Sequence, residues 1–489
     1  MAETKDKQES LLFLGRNKIF VPYDDITADN LIEVLYPVLC YHNENVFMEN
    51  YLYNYRRGEQ PILHREKEIR EEIKNMCVQN VASEIVAFKN GYFLTQPTYY
   101  VSRKKGKTKE VNKLNDFLYV SGKHEADNAI VDWFHTVGVA ALYVESVEGD
   151  VPCKVYALDP RNAFVVYSRR PGNRPVMGVN VVATVNDKGE KMSLIDVFTR
   201  TMIYHLSGGE LSAYVADNTK IVPPTIPATS IISSEVNSLG EIPIIEYAYD
   251  KQRMAAFETV LPLLDAINNV QSNRLDGVEQ FIQSLMVLTN CSLPDGATSN
   301  SVRDKGIIEL KSDNINPAKI DILTEQLDQS QTQILVDDLL HQVCEIAGMP
   351  FTSATSRGTS DNVGAVYLRN GWQTADTFAR NTEDLFKQSN RLFDTIFLTI
   401  LKAKRLIKDI DVYDIDTQFT RNEMDNLQSK VQAALGLKQL GLSPELVLAR
   451  SGISNDPSGD IERSKKYIEV AYAETPESEV FVSETNQTE

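Results

Sequence analysis

The chain has 489 residues, roughly three domains' worth of length. A hydrophobic fraction of 42% is enough to bury real cores and excludes global disorder. The formal charge of −18 excludes a protein that grips nucleic acid over its whole surface, because neutralising phosphates takes Lys and Arg.

The N-terminal "MAETKDKQESLLFLG" is charged and lacks an apolar core of signal-peptide length. No apolar run reaches membrane-spanning length, and "VDWFHTVGVAALYV" is interrupted by Asp132 and His135. The cysteines at 40, 77, 153, 291 and 344 form no CxxC pair, which argues against a disulfide framework or a zinc ribbon. The expectation is a soluble chain made in a reducing cytoplasm, with no membrane partner.

Residues 24–135 read mostly as helices. "ADNLIEVLYPVLCYHNENVFMENYL" and "KEIREEIKNMCVQNVASEIVAFKNG" both carry apolar residues at three- and four-residue spacings. Between them lies "NYLYNYRRGEQPILHREK" (50–67). Its alternating tyrosines predict an extended lead-in, Gly58 with Pro61 a turn, and the charged run after Pro61 an exposed helix start. From about 137 to 250 the period changes to two. Short strands "AALYVESV", "CKVYAL", "NAFVVYS", "VMGVNVVATV", "SLIDVFTR", "MIYHLS" and "LSAYV" alternate with turn segments, which predicts an antiparallel meander.

Helical spacing then returns. One helix is predicted from about Ala255 to Thr289, roughly 50 Å at 1.5 Å per residue. "GIIELK" and "KIDILT" read as strands, and helix resumes from about Glu325 to "AGMP". A third long helix is predicted from about Val363 to Arg405, followed by the strand candidate "DIDVYDIDTQF" and smaller helices. Residues 474–489 hold five glutamates and no basic residue, the composition of an acidic disordered tail. Long helices with a β subdomain before them and an αβ insertion between them need neighbours to bury them, which favours an oligomer.

Chemical motifs are sparse, and no catalytic residue or cofactor is expected. "GLKQLGLS" (436–443) has the glycine spacing of a phosphate loop without its Lys and hydroxyl. No GxGxxG follows a strand and no GxSxG elbow exists. His341 and Cys344 in "HQVCE" lie one turn apart, but structural zinc wants four ligands and no second pair is visible. Asp409, Asp411, Asp414 and Asp416 could bind magnesium or form a solvated edge strand with two residues on each face. "RKKGKTKEVNK" (103–113) reads either as a phosphate-contacting patch or as a mobile solvated loop, with the loop preferred. On the helix over 325–347, turning about 100° per residue places Asp337, Asp338, His341 and Glu345 on one side. Val336, Leu339, Leu340, Val343 and Ala347 fall on the other. A one-sided acidic face is a solvent face, or in a ring of copies an anionic wall.

In this order the residues resemble the portal proteins of tailed double-stranded-DNA bacteriophages, of the long-tailed, siphovirus type. "YRRGEQPI" resembles the family's Tyr-x-x-Gly-x-Gln-Pro-Ile element, and "GYFLTQPTYY" the next one, with Thr95 where glycine is commoner. "ALDPRNAFVVYSRRPGNRPVMGV" is similar to its Pro-x-x-x-Phe-x-Val-Tyr meander. "IPIIEYAYDKQRMAAFETVLPLLDAINNVQSNRLDGVEQFIQSLMVL" resembles the helix leading into the stem, and "EIAGMPFTSATSRGTSDNVGAVYL" the loop into the long crown-directed helix. "LSPELVLARSGISNDPSGDIERSKKYIE" matches the C-terminal helical pattern. Each motif is weak alone; their order over nearly the whole chain carries the resemblance.

The resemblance implies an α+β, mainly helical subunit assembled as a dodecameric ring around an axial DNA tunnel. Residues 1–250 would be the wing, 251–289 the first stem helix, 290–324 the clip and 325–348 the second stem helix. Residues 349–362 would be the tunnel loop, 363–405 the long wing and crown-directed helix, 406–472 a strand with crown helices, and 473–489 the acidic tail. Tunnel residues would be Asp337, Asp338 and Glu345 with Ser356, Arg357 and Thr359; Arg303, Asp304 and Lys305 would meet partners at the clip. The implied partners are double-stranded DNA, the terminase large subunit, the major capsid and scaffolding proteins and a head–tail connector. The implied location is the capsid portal vertex of the virion, with the host cytoplasm during assembly. A metal-dependent nuclease or hydrolase using the 409–416 aspartates, and a smaller head–tail adaptor ring, stay open as alternatives.

Overall fold

The computed structural model describes residues 15–67, 71–104, 107–149, 151–185, 188–209, 229–282, 285–289, 319–323, 329–351, 371–419, 427–454, 457 and 459–465. A short strand β1 (Ile19–Val21) precedes the 30-residue helix α1 (Ala28–Arg57). The Asn30 side chain accepts from the Thr27 N–H at 2.8 Å at its start, and Gly58 closes it in the left-handed region at φ 102°. Tyr51, Tyr53 and Tyr55 therefore sit on helix rather than on the extended lead-in their alternation predicts. Spread over several faces, Tyr55 is buried against Phe257 while Tyr53 stacks on Trp133.

The second predicted helix is half as long as expected. Pro61–His64 form one 3-10 turn, and helix α2 begins only at Val81 and runs to Phe93. Strand β2 (Tyr99–Ser102) and helices α3 (Thr108–Val120) and α4 (Lys123–Val137) follow. The second half of the run from Arg103, with Lys109 and Lys113, thus opens a helix rather than a loop.

The period-two region forms strands where expected, but not as one meander. Strands β3 (Val139–Ser146) and β4 (Cys153–Leu158) pair with β10 (Ile244–Ala248) in a three-stranded sheet. Strands β5 (Ala163–Ser168), β6 (Pro175–Val185), β7 (Lys191–Phe198), β8 (Met202–Gly209) and β9 (Ser230–Val236) form a six-stranded sheet. Its far edge is β1, parallel to β5. The change of sheet falls at Asp159–Asn162, where the Asn162 and Ala163 N–H groups both donate to the Asp159 carbonyl at 2.9 Å. The candidate "LSAYV" lies outside the described residues.

Helix α5 (Leu261–Ile282) ends earlier than the predicted helix over 255–289. Residues 285–289 instead form strand β11 (Leu285–Thr289), antiparallel to β12 (Lys319–Leu323). An unbroken apolar run such as "LMVL" fits either state, and the partner strand decides it. Helix α6 (Gln329–Ala347) returns along α5. Helix α7 (Trp372–Ala403) is the longest described element. The 409–416 segment is strand only in part: Val412–Asp414 are a 3-10 turn and β13 (Ile415–Gln418) pairs with β2. Helices α8 (Leu427–Gln439) and α9 (Pro444–Ser451) pack on each other.

Separate apolar cores tie these parts together. The first half of α1 covers the six-stranded sheet. α7 packs with α3, α4 and the three-stranded sheet. The second half of α1, α2, α5 and α6 share a third core through Tyr55, Ile85, Phe257, Ile267 and Val343. No helix among the described residues is long and apolar enough to cross a membrane.

Candidate functional site

The paired helices α5 and α6 carry the acidic face singled out in the sequence, and their surroundings fix which way it points. On the far side of α5 from α6, residues 73–80 run as an extended strap. The backbone N–H groups of Asn75, Cys77 and Gln79 donate to the side chains of Asp276, Ser272 and Asn268 at 2.8, 2.9 and 2.8 Å. Two residues of extended chain span about 6.6 Å and four residues of helix about 6 Å, so every second strap amide meets every fourth helix residue. The strap satisfies its backbone on helix side chains, which is why "EEIKNMCVQN" (71–80) forgoes the helix its spacing predicts. Gln60 of the "RRGEQP" stretch is buried at the head of the strap, donating to the Tyr55 carbonyl at 3.2 Å and to Asn80 Oδ1 at 3.1 Å.

Asp276 anchors the lower end. Its oxygens accept from Lys67 Nζ at 2.7 Å and from the Asn75 side-chain amide at 2.9 Å, with Arg65 at 3.3 Å. Burial alone would raise its carboxyl; the hydrogen bonds from Lys67 and Asn75 more than offset this and hold it below the usual carboxylate value. Asp276→Ala leaves a strap amide and two cations unmet. It is expected to cost about 2–3 kcal/mol, read by chemical denaturation, and to speed hydrogen exchange in 73–80 selectively. Because the native carboxyl titrates lower than the unfolded one, the parent loses this contribution as pH falls below the ordinary carboxylate value, and the variant has none to lose.

On α6 the face assignment made from the sequence agrees with the structure. Val336, Val343 and Ala347 are buried, Leu339 and Leu340 are half-buried, and Asp337, Asp338, His341 and Glu345 are exposed. Gln342 Nε2 donates to Asp338 at 2.9 Å; Gln333 Nε2 donates to Asp337 at 2.8 Å, while Gln333 Oε1 accepts from Arg274 of α5 at 2.7 Å. His341 lies edge-on to Phe351, whereas Cys344 is buried and its thiol is pushed up by burial. Ser356, Arg357, Thr359, Arg303, Asp304 and Lys305 lie outside the described residues.

The flanks of the pair are apolar and exposed. At about 100° per residue, Leu335 and Ile346 fall on one flank of α6. Because α5 runs antiparallel, Leu275 and Val278 fall on the opposite flank of the pair. All four are more than 40% exposed. The cross-section therefore orders strap, α5, α6 and acidic face in one direction, with two different apolar stripes at right angles to it. Ile334, 68% exposed, sits among the acidic residues.

The aspartate run and the basic run, read as independent motifs in the sequence, engage each other. Pairing of β2 with β13 brings Lys104 Nζ to 2.6 Å and Lys107 Nζ to 2.7 Å from the buried Asp414 carboxylate. Those two lysines hold Asp414 far below the usual carboxylate range. Lys402 pairs with Asp411 at 2.7 Å, and Lys387 lies 3.8 Å from Asp416. Carboxylates occupied by lysine are poor magnesium ligands, and the two-faced strand expected at 409–416 gives way to a turn held shut by charge.

A model of the family described as Phage portal protein, SPP1 Gp6-like, matches residues 39–471, most of the chain. No curated protein matches the chain with significance. Family match, helix pair and motif order agree: the chain belongs to the SPP1 Gp6-like phage portal proteins, a family of structural proteins, and serves as the portal at the capsid vertex.

Proposed function

We propose that copies of this chain close into a ring, by the family resemblance a dodecamer, with α6 facing an axial channel for double-stranded DNA. The cross-section of the α5–α6 pair carries this reading. Two unlike apolar stripes on opposite flanks are what a heterologous ring contact needs, since each subunit shows one face to the left neighbour and another to the right. With the flanks tangential, the strap lies outward and Asp338, His341 and Glu345 point inward, with Asp337 at their border. An anionic wall repels a duplex and lets it slide, where a basic wall would hold it. Arg357 is the basic side chain assigned to steady the DNA from the tunnel loop, between Ser356 and Thr359.

Residues 290–324 form the clip in this reading, where Arg303, Asp304 and Lys305 meet the terminase large subunit during filling and a head–tail connector afterwards. The wing meets the major capsid and scaffolding proteins, and assembly takes place in the host cytoplasm. The energy for translocation comes from the terminase. Negative-stain microscopy with native mass spectrometry of the purified chain is expected to give rings of about a dozen subunits with a central hole. A stable monomer that forms no ring even with scaffold would refute the assembly. Arg357→Ala particles are expected to package or retain less DNA; parent-like retention refutes that role alone.

A further inference from the structure

Charged groups crowd one place in the wing, where α1, β10, the β4–β5 turn and the loop into α5 meet. Glu49 on α1 is 1% exposed. Facing it are Arg16 from the segment before β1, Asp159 and Arg161 from the turn, Glu246 from β10 and Arg253 from the loop. The cations are already partnered: Arg16 with Glu258 at 2.7 Å, Arg253 with Glu246 at 2.8 Å, Arg161 with Asp159 at 2.6 Å. His42, also on α1, is kept neutral by burial, which takes it down to about 3, and its Nε2 lies 3.1 Å from the Arg161 carbonyl.

Among the buried atoms left over are three from Glu49 and Arg253. Glu49 Oε2 has no hydrogen-bond partner, and Arg253 gives only Nη2 to Glu246, leaving Nε and Nη1 unmatched. Glu49 and Arg253 line the same small cavity, together with Asn17, Asn45 and Glu246, and it offers about 20 Å³ to a water-sized sphere. A water needs roughly 10–15 Å³ and two to four polar partners. The space admits one water and no phosphate or larger ion.

We propose that this cavity is a binding site for a single ordered water that accepts from one of the two unmatched N–H groups of Arg253 and bonds Glu49 Oε2. The water completes Glu49 Oε2 and one of the Arg253 N–H groups at once and joins α1 to the loop that launches α5. Glu49 is then the exchangeable end of the bridge. Burial is the largest influence on it and pushes it up to about 7, against the opposing pull of Arg16. Between the ordinary glutamate value and about pH 7 the folded chain holds a proton that the unfolded chain has released. The resulting stability is present in full at low pH and is lost as pH rises through about 7.

The full-length assembly tests both parts. A density map at better than about 2 Å resolution, where ordered waters are visible, is expected to show one solvent peak within hydrogen-bond distance of Glu49 Oε2 and Arg253. A dry cavity overturns the water site. In thermal unfolding from pH 5 to pH 8, the parent is expected to lose several degrees more than Glu49→Gln, which keeps the shape but cannot titrate. Equal slopes overturn the proton linkage. Asp394, which burial also pushes up to about 7, contributes the same slope to both proteins and cancels from the comparison. Should Glu49→Gln fail to fold, infrared titration of the parent gives the same reading. Two protonated-carboxyl bands lost near neutrality support the linkage, and one assigned to Asp394 alone overturns it.

Discussion

Glu258→Ala is expected to destabilise the subunit by about 3–5 kcal/mol, the cost of stranding one member of a buried ion pair. Arg16 Nη2 and Glu258 Oε1 are 2.7 Å apart with both side chains wholly buried. The other carboxylate oxygen accepts from the Ala255 N–H at 2.8 Å, and Arg16 Nη1 donates to the Val137 carbonyl at 3.3 Å. The pair therefore ties the segment before β1 and the end of α4 to the loop that opens α5. The backbone at this junction leaves no slack. Gly15 and Gly138 both have positive φ, and a Cβ on either would come within 1.8 and 2.2 Å of the Gln252 and Arg253 carbonyl oxygens. With the loop held this closely, the structure cannot relax to bring water to an orphaned guanidinium. Glu258→Gln keeps the bond to Ala255 and should lose less. Arg16→Met with Glu258→Leu should recover most of the loss, because the desolvation cost leaves with the charges. Guanidinium unfolding of the three variants checks the order. If the single and double variants are equally unstable, packing at the junction matters and the ion pair does not.

The parts of this fold that the sequence made legible are those ruled by local periodicity. The strands from 139 to 209 and the phase of α6 follow from which residues alternate and which recur each turn. Tertiary bonding decided the rest. The strap over 73–80 has helical spacing, yet Asn268, Ser272 and Asp276 offer its amides a better partner than its own carbonyls. A signal was present, since Asn268, Ser272 and Asp276, four apart on a polar face of the helix, are a row of acceptors awaiting something. Likewise Lys104, Lys107 and Asp414 are some 300 positions apart in the chain, and only the β2–β13 ladder reveals that they neutralise each other. Local reading took the two charge runs as separate sites because it has no access to that register. The acidic face of α6 was legible because it depends only on the helix itself. What faces that side is a property of the assembly, and no single chain encodes it locally.

That assembly yields the second large effect. Leu335→Asp with Ile346→Asp is expected to leave the subunit folded but unable to form rings. Both side chains are about half exposed in the isolated chain, so the fold loses little. In a ring each aspartate would enter an apolar contact without a partner, at about 2–5 kcal/mol per interface, or roughly 30-fold to 4,000-fold in affinity. Leu275→Asp with Val278→Asp attacks the other flank and should have the same result alone. Mixing the two variants separates a heterologous contact from a two-fold one. Each variant keeps one intact flank of opposite kind, so the mixture should associate once and stop, giving a one-to-one heterodimer by native mass spectrometry. A two-fold contact through either stripe would let the variant lacking the other stripe form homodimers by itself. Homodimers of a single variant would therefore exclude the ring contact, while unaltered rings from both variants would move the interface away from α5 and α6 altogether.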